Sequence, residues 1–166
     1  MAVHSIRLFP DLILKRPAKP ILRFTRFHAQ VIRHSIDTLK VQPGGIGIAA
    51  PQIGYSVRIA VVDVSKKDRH KKRLILINPE IIKGAGETVG REGCMSVPDY
   101  TGNVKRMPWV HIRWRDPQFI LREMETEGIE AICIQHEIDH LNGFLFLDRV
   151  TSLTKDVFRR KMYLSH

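Results

Sequence analysis

Two histidines, one helical turn apart, interrupt the last long stretch of periodic apolar residues in this chain. Residues 129–141 repeat apolar side chains with a helical period, so the stretch predicts a buried helix. His136 and His140 then lie one above the other, about 6 Å apart along the helix axis. Both imidazole rings can therefore reach one metal ion. Glu137 follows His136 directly, which lets its carboxylate take a proton from a water molecule beside that ion.

A catalytic metal site also needs a third protein ligand and one open position. The chain offers two cysteines. Cys133 lies on the same helix, about 7.5 Å of axial rise from an ion centred near residue 138, which is farther than its side chain reaches. A small buried hydrophobic side chain is the favoured interpretation of Cys133. Cys94 follows Gly93 in an irregular segment that can approach the helix, and we predict it as the third ligand, with a buried structural thiol as the alternative.

The other hydrophobic patterns predict an α+β fold. We expect antiparallel β-sheets around the central metal-binding helix, with an N-terminal helix and a short C-terminal helix. A basic loop joins the first two strands, and Asn78-Pro79 is predicted to end the second strand. The predicted helices cover residues 25–40, 129–141 and 151–163, and the predicted strands cover residues 57–64, 73–77, 110–115 and 119–125. We expect one metallohydrolase domain over residues 1–166.

The charge balance is strongly basic. Lys and Arg number 27 against 17 Asp and Glu, which gives a net charge of +10. Such a surface favours contact with polyanions such as RNA or ribosomes, and a solvated surface without a specific partner is an equally open interpretation. No apolar run approaches the length of a membrane span, and the small number of cysteines favours a reducing compartment. We therefore expect a cytoplasmic protein that does not insert into membranes, with an organelle as the alternative location.

Three segments of the chain together resemble the signature motifs of peptide deformylases. Each segment alone is a weak signal: the glycine-rich one, for example, indicates only close packing, since it lacks the Lys-Ser/Thr of a phosphate loop. Their order and separations are similar to those of the family. The matching sequences are GIGIAAPQ at residues 45–52, EGCMS at residues 92–96 and QHEIDH at residues 135–140.

The resemblance implies a role for each matching residue. Cys94, His136 and His140 would hold one divalent metal ion, with iron(II) expected in the cell and zinc, nickel or cobalt able to substitute. Glu137 would be the general acid and base. Gln52 and the backbone N–H of Met95 would stabilise charge on the substrate carbonyl. The pocket for the methionine side chain would draw on Gly47, Ile48, Ile129, Ile132 and Cys133.

The implied activity is removal of the formyl group from N-terminal formylmethionine of newly made proteins, with release of formate. The implied partners are nascent formylated polypeptides and, through the basic surface, the ribosome. The sequence departs from the family at three places. Ile48 and Met95 stand where leucine is common, and residues 99–103 lack the arginine that many members carry for contact with the substrate backbone or carboxylate.

Two further pairings follow from the residues around the site. Because metal-bound imidazoles usually donate their other N–H to a carboxylate, we expect Asp139 to support a histidine ligand, with solvation of the helix surface as the alternative. We also expect Glu92 to pair with Arg106 near the Cys94 segment.

Two other function classes remain open at this point. A zinc peptidase shares the His-Glu-x-x-His pattern, but it would need a third ligand downstream, where Asp148, Asp156 and His166 are the candidates. A basic RNA-binding domain with a structural zinc would need four ligands, and Cys133 is the only obvious fourth.

Overall fold

The structure, a computed structural model, describes residues 2–160. Short 3-10 helices lie at Leu12–Lys15, Ala50–Ile53 and Phe146–Asp148. The longer elements, in chain order, are α1 (Arg26–Val41), β1 (Gly47–Ala49), β2 (Ile59–Val62), β3 (Leu74–Ala85), β4 (Thr88–Cys94), β5 (Val97–Arg106), β6 (Trp109–Arg115), β7 (Leu121–Glu127), α2 (Gly128–Leu141) and β8 (Val157–Arg159).

The strands form two antiparallel sheets. One sheet has five strands in the order β1-β2-β3-β6-β7, and the other has three strands in the order β4-β5-β8. The predicted α+β class and the two predicted helices α1 and α2 are confirmed. None of the helices within residues 2–160 is both long enough and apolar enough to cross a membrane.

Strand β2 explains where the two helices lie. All four of its residues are buried, although a strand points successive side chains to opposite faces of the sheet. Ala60 and Val62 belong to the cluster that packs against α2, whereas Ile59 and Val61 pack against α1. The two helices therefore cover opposite faces of the five-stranded sheet, and α2 is held in the interior with its histidines.

The hairpin formed by β4 and β5 carries the second part of the candidate site. Cys94 ends β4 and pairs with Val97 at the start of β5. The same end of the hairpin is buried against Leu14, Leu145 and Phe146. Leu14 lies in the first short 3-10 helix, and Leu145 and Phe146 lie at the start of the third. This packing fixes the position of the Cys94 backbone.

The predicted C-terminal helix over residues 151–163 is wrong within the part of the chain that the structure describes. Val157–Arg159 forms a strand instead, and its residues pair with Tyr100, Thr101 and Gly102 of β5. The reason is that β5 otherwise leaves one edge of backbone groups without a neighbouring strand, and pairing satisfies them. Residues 161–163 of the predicted helix lie outside the described residues.

The predicted end of β3 at Asn78-Pro79 is also wrong, because the strand continues to Ala85. The pairing with β6 shifts register between Ile77 and Glu80, which accommodates a proline that cannot donate to the ladder. Asn78 takes a positive φ of 49° there. Its side-chain amide bonds both the N–H of Ile21 at 2.9 Å and the C=O of Ile21 at 2.7 Å, which ties the bulge to the N-terminal segment.

Candidate active site and metal centre

Three ligand atoms converge where the hairpin meets α2. One side-chain atom from each of Cys94, His136 and His140 lies within 4.8 Å of the other two. Cys94 Sγ is 3.2 Å from Nε2 of His140, and the two histidine rings are 5.0 Å apart between centroids. The helix supplies two ligands one turn apart, and the hairpin supplies the third.

The chemistry of these donors fits a divalent metal ion of the nitrogen and sulfur type. His136 Nδ1 is bonded to Glu92, which leaves its Nε2 for the ion. Burial raises the pKa of the Cys94 thiol, but the His140 and His136 rings lower it by more, so its pKa lies well below the usual value and favours the thiolate. Within residues 2–160, Oε2 of Glu137 is buried without a hydrogen-bond partner, as expected of a carboxylate that faces a ligand.

Cys133 is not part of this group. Its Sγ lies 3.5 Å from the carbonyl oxygen of Ile46, and burial raises the pKa of its thiol well above the usual value. A neutral thiol is a poor metal ligand. The described residues therefore bring together three side chains that could hold a metal ion. A site with three protein ligands would keep a coordination position for solvent or substrate.

A buried charge network supports one of the two histidines, His136. Glu92 accepts a hydrogen bond of 2.9 Å from His136 and a bidentate pair of 2.8 and 3.0 Å from Arg106. Arg106 also reaches Asp139 at 2.6 Å, and Arg149 bonds Asp139 from the other side. Burial raises the pKa of Glu92, but His136 and Arg106 lower it by more, to about 2. Glu92 is therefore ionised and orients the His136 ring.

The predicted pairing of Glu92 with Arg106 is confirmed. The expectation for Asp139 is wrong in its partner, because Asp139 binds two arginines while Glu92 is the carboxylate on the histidine. Asp139 directly precedes His140 in the helix, but its side chain bonds Arg106 of β5 in the second sheet and Arg149.

Glu137 lies beside the ligand group with a buried carboxylate. Burial raises the pKa of Glu137 to about 7. Gly47 of β1 faces it so closely that a Cβ at this position would collide with the carboxylate and would lie 2.6 Å from Sγ of Cys133. A glycine is therefore required here for the carboxylate to keep its position.

Gln52 approaches the ligand group from the 3-10 helix Ala50–Ile53. Its Oε1 accepts a hydrogen bond of 2.9 Å from the backbone N–H of Ala49. Because that N–H can only donate, the bond fixes the orientation of the Gln52 side-chain amide. Its Nε2 therefore faces Ser96 Oγ at 3.2 Å and Cys94 Sγ at 3.6 Å. The amide presents a donor to whatever group binds beside the thiol.

A cavity of about 600 Å³ opens in front of these residues. Most of the predicted site residues line it, and His140 lies behind it in contact with Cys94. The structure does not bring Ile48 to the cavity: strand alternation turns its side chain away from Gly47 into the core beside Leu39 and Val61. The predicted residues that line the cavity are Gly47, Gln52, Cys94, Met95, Ile129, Ile132, Cys133, His136 and Glu137.

Two arginines at the cavity were not predicted from the sequence. Arg91 lies on β4, and Arg160 follows β8. Arg160 was assigned to a terminal helix, so nothing in the sequence pattern pointed to the cavity. The pairing of β8 with β5 is the feature that brings it there.

The ligand candidates that a zinc peptidase would need lie elsewhere. Asp148 pairs with Lys15 at 2.6 Å, and Asp156 accepts the backbone N–H of Ser152 at 3.0 Å. His166 lies outside the described residues. The third residue of the group that could hold a metal ion is Cys94, which lies upstream of the helix.

A family model described as polypeptide deformylase matches residues 3–156 of this chain. The chain belongs to the polypeptide deformylase family. Two curated relatives, both named peptide deformylase, cover nearly all of it. The protein from Mesorhizobium japonicum is 40% identical over 97% of this chain and 92% of its own length. The protein from Heliobacterium modesticaldum is 43% identical over 90% of this chain and 95% of its own length.

Solved deformylase structures share the fold. A peptide deformylase from Legionella pneumophila has a TM-score of 0.85 at 38% identity and covers 93% of this chain and 89% of its own. One from Synechococcus elongatus, in complex with actinonin, has a TM-score of 0.83 at 36% identity and covers 90% of this chain and 79% of its own. The deformylase family is metal-dependent, and the Cys94, His136 and His140 group is able to bind a metal ion.

Proposed function

We propose that this member of the deformylase family hydrolyses the formyl group of N-terminal formylmethionine on newly made polypeptides and releases formate. The observation that carries the proposal is the buried Glu137 carboxylate beside a thiol and two imidazoles, at the end of an open cavity. A peptide can enter such a cavity with its formyl group foremost. The family match supports the same chemistry.

In the proposed reaction, water adds to the formyl carbon and the carbon–nitrogen bond of the formamide breaks. Cys94, His136 and His140 would hold a divalent ion, which would supply Lewis acidity and lower the pKa of bound water toward about 7. Glu137 takes the proton from the attacking water and then delivers it to the departing amine. A pKa near 7 suits a group that both accepts and returns a proton. The products are formate and a free N-terminal amine.

Gln52 and Met95 are proposed to hold the formyl oxygen as negative charge develops on it. The Gln52 Nε2 donor already faces the thiol, and its amide is fixed by Ala49, so it needs little reorganisation. The backbone N–H of Met95 is the second proposed donor. Loss of one such donor typically lowers the rate by about 10²–10³-fold.

The shape of the cavity supports selection of formylmethionine. Ile129, Ile132 and Cys133 offer an apolar wall for the methionine side chain. Gly47 lies against Glu137, so the space for the acyl group is narrow and suits a formyl group better than larger acyl groups. Ile48 is not part of this proposed pocket.

The finer assignments rest on the same proposal. Iron(II) is the proposed metal in the cell, with zinc, nickel or cobalt able to replace it. We propose one metallohydrolase domain over residues 1–166, a cytoplasmic location, and contact with ribosomes through the basic surface. That contact should weaken as salt is raised, since it depends on polyanion charge. A binding constant that does not change with salt would argue against it.

The test is formate release from formyl-Met-Ala under anaerobic conditions with iron(II). Glu137→Gln should lower kcat by at least about 10²-fold, because it removes the group that moves the proton. Glu125→Gln is the matched control, since Glu125 is exposed on β7, away from the cavity. Metal content should be measured in parallel. Equal rates for wild type and Glu137→Gln at equal metal content would refute the assigned base.

A further inference from the structure

Arg160 extends the short strand β8 toward the cavity. Strand β8 pairs with Tyr100–Gly102 of β5, and the backbone N–H of Arg160 continues the ladder by donating to the C=O of Asp99 at 2.8 Å. The backbone of Arg160 is thereby held to the Cys94 hairpin. Its side chain lines the cavity.

The guanidinium of Arg160 lies directly over Gly93. A Cβ at Gly93 would collide with it, so a residue with a side chain would push the guanidinium away. Gly93 is the residue before Cys94, and its neighbourhood is therefore the part of the cavity wall that adjoins the ligand group. The positive charge of Arg160 therefore lies in the cavity wall next to Cys94, beside the space that a bound molecule would occupy.

The two charged side chains nearest to Gly93 along β4 are already engaged. Arg91 bonds Asn103 at 2.9 Å and stacks over the Phe158 ring at 3.6 Å. Glu92 is buried in its pair with Arg106. None of the ion pairs among residues 2–160 involves Arg160, which leaves its guanidinium able to bind an anion from outside the chain.

We propose that Arg160 binds a carboxylate of the substrate peptide just beyond the methionine and so determines which peptides are favoured. This inference rests on the proposed function. In a peptide whose formyl carbon lies at Cys94, the Cα of the second residue lies one step of about 3.8 Å beyond the methionine Cα, further along the cavity. A carboxylate at that distance, from the end of a short peptide or from an acidic side chain, meets the charge over Gly93 and forms a charge-assisted hydrogen bond.

Four peptides test this and distinguish the two sources of the carboxylate. Formyl-Met-Ala is compared with its C-terminal amide, and formyl-Met-Asp-amide is compared with formyl-Met-Asn-amide. The wild type should show kcat/KM about three- to tenfold higher for the carboxylate member of at least one pair, mainly through a lower KM. Arg160→Gln should bring that ratio close to one, and Arg160→Lys should retain part of it.

Arg159→Gln is the matched control. It removes the same charge from the adjacent residue, whose side chain points to the opposite face of β8. The ratio should survive in this variant. If it is lost equally in both variants, or if Arg160→Gln leaves it unchanged while formate is still released, Arg160 does not select the substrate. If no peptide releases formate in any variant, the proposed function fails, and this proposal fails with it.

Discussion

The candidate site joins two regions of different construction. Helix α2 supplies His136, His140 and Glu137 from one buried element that is covered by the five-stranded sheet. The β4–β5 hairpin supplies Cys94 from the end of a strand whose other residues are largely exposed. The helix places its two histidines through local geometry, whereas the position of Cys94 relative to the helix depends on contacts between the hairpin and residues distant in the chain. The distances between Cys94 and the two histidines therefore depend on how the hairpin packs against the helix.

The largest expected effect separates the two cysteines, one from each region. Cys94→Ala should lose the metal on dialysis and lower formate release by at least about 10³-fold, because a proposed ligand is removed. Cys133→Ala should keep its metal, since the Cys133 thiol is neutral and bonds the Ile46 carbonyl. Elemental analysis of metal per chain checks both. A metal content that falls in Cys133→Ala and survives in Cys94→Ala would reverse the assignment.

The second prediction concerns the residue that ties the regions together. Arg106 of β5 bonds Glu92 of the hairpin and Asp139 of the helix, and all three are buried. Arg106→Met removes the one cation shared by two buried carboxylates and leaves only His136 on Glu92 and Arg149 on Asp139, so it should lower the free energy of unfolding by about 3 kcal/mol.

Arg113→Met is the control for this change. Arg113 pairs with Glu123 and Glu80 at the exposed surface of the sheet, where solvent screens the charges, so only a small change is expected. Urea unfolding of the two variants measures the contrast. Similar losses for Arg106→Met and Arg113→Met would mean that the buried network does not hold the hairpin to the helix.

The third prediction compares two glycines at the cavity. Gly47→Ala should lower kcat by about 10²-fold while metal content stays near normal, because the new methyl group displaces the Glu137 carboxylate. Gly90 lies on β4 of the hairpin, and a Cβ there meets nothing within 4 Å. Gly90→Ala should therefore behave much like the wild type. An equal kcat for Gly47→Ala and Gly90→Ala would show that the carboxylate tolerates displacement.

The two regions also differ in how far the sequence predicts them. His136 and His140 are local partners, so their spacing alone indicates a shared ion. The sequence indicates Cys94 less directly, as the thiol that is able to reach the helix. The strand that carries it is not predicted, because β4 buries just Glu92 and Cys94 and shows little hydrophobic pattern. The buried state of Glu92 depends on Arg106 and His136, which lie far along the chain.

Strand β8 and the continuation of β3 escaped prediction for a related reason. Residues 157–159 become a strand because β5 offers them an edge, and that edge belongs to a hairpin which the sequence pattern did not show. Asn78-Pro79 is a typical end of a strand, but the Asn78 amide bonds Ile21 and carries β3 through a bulge. Arg160 lies at the cavity because β8 pairs with β5.

The smallest expected effect tests the support beneath the hairpin. Asp148 pairs with Lys15 at 2.6 Å and accepts the backbone N–H of Leu145 at 2.7 Å, which joins two short helices that pack under Cys94. Asp148→Asn should lower the free energy of unfolding by about 1 kcal/mol near neutral pH. Burial raises the pKa of Asp148, but its bonds to Leu145 and Lys15 lower it by more, so the pKa lies below its usual value.

The sign of the pH dependence follows from that direction. A carboxylate whose pKa is lower in the folded state stabilises the fold above its unfolded pKa and loses that contribution as the pH falls through the folded pKa. The difference in stability between the wild type and Asp148→Asn should therefore be full near pH 6 and shrink as the pH falls below about 4. Urea unfolding across this range measures it, with Glu125→Gln as the control. A difference that stays constant with pH would mean that the ionised carboxylate does not support the hairpin.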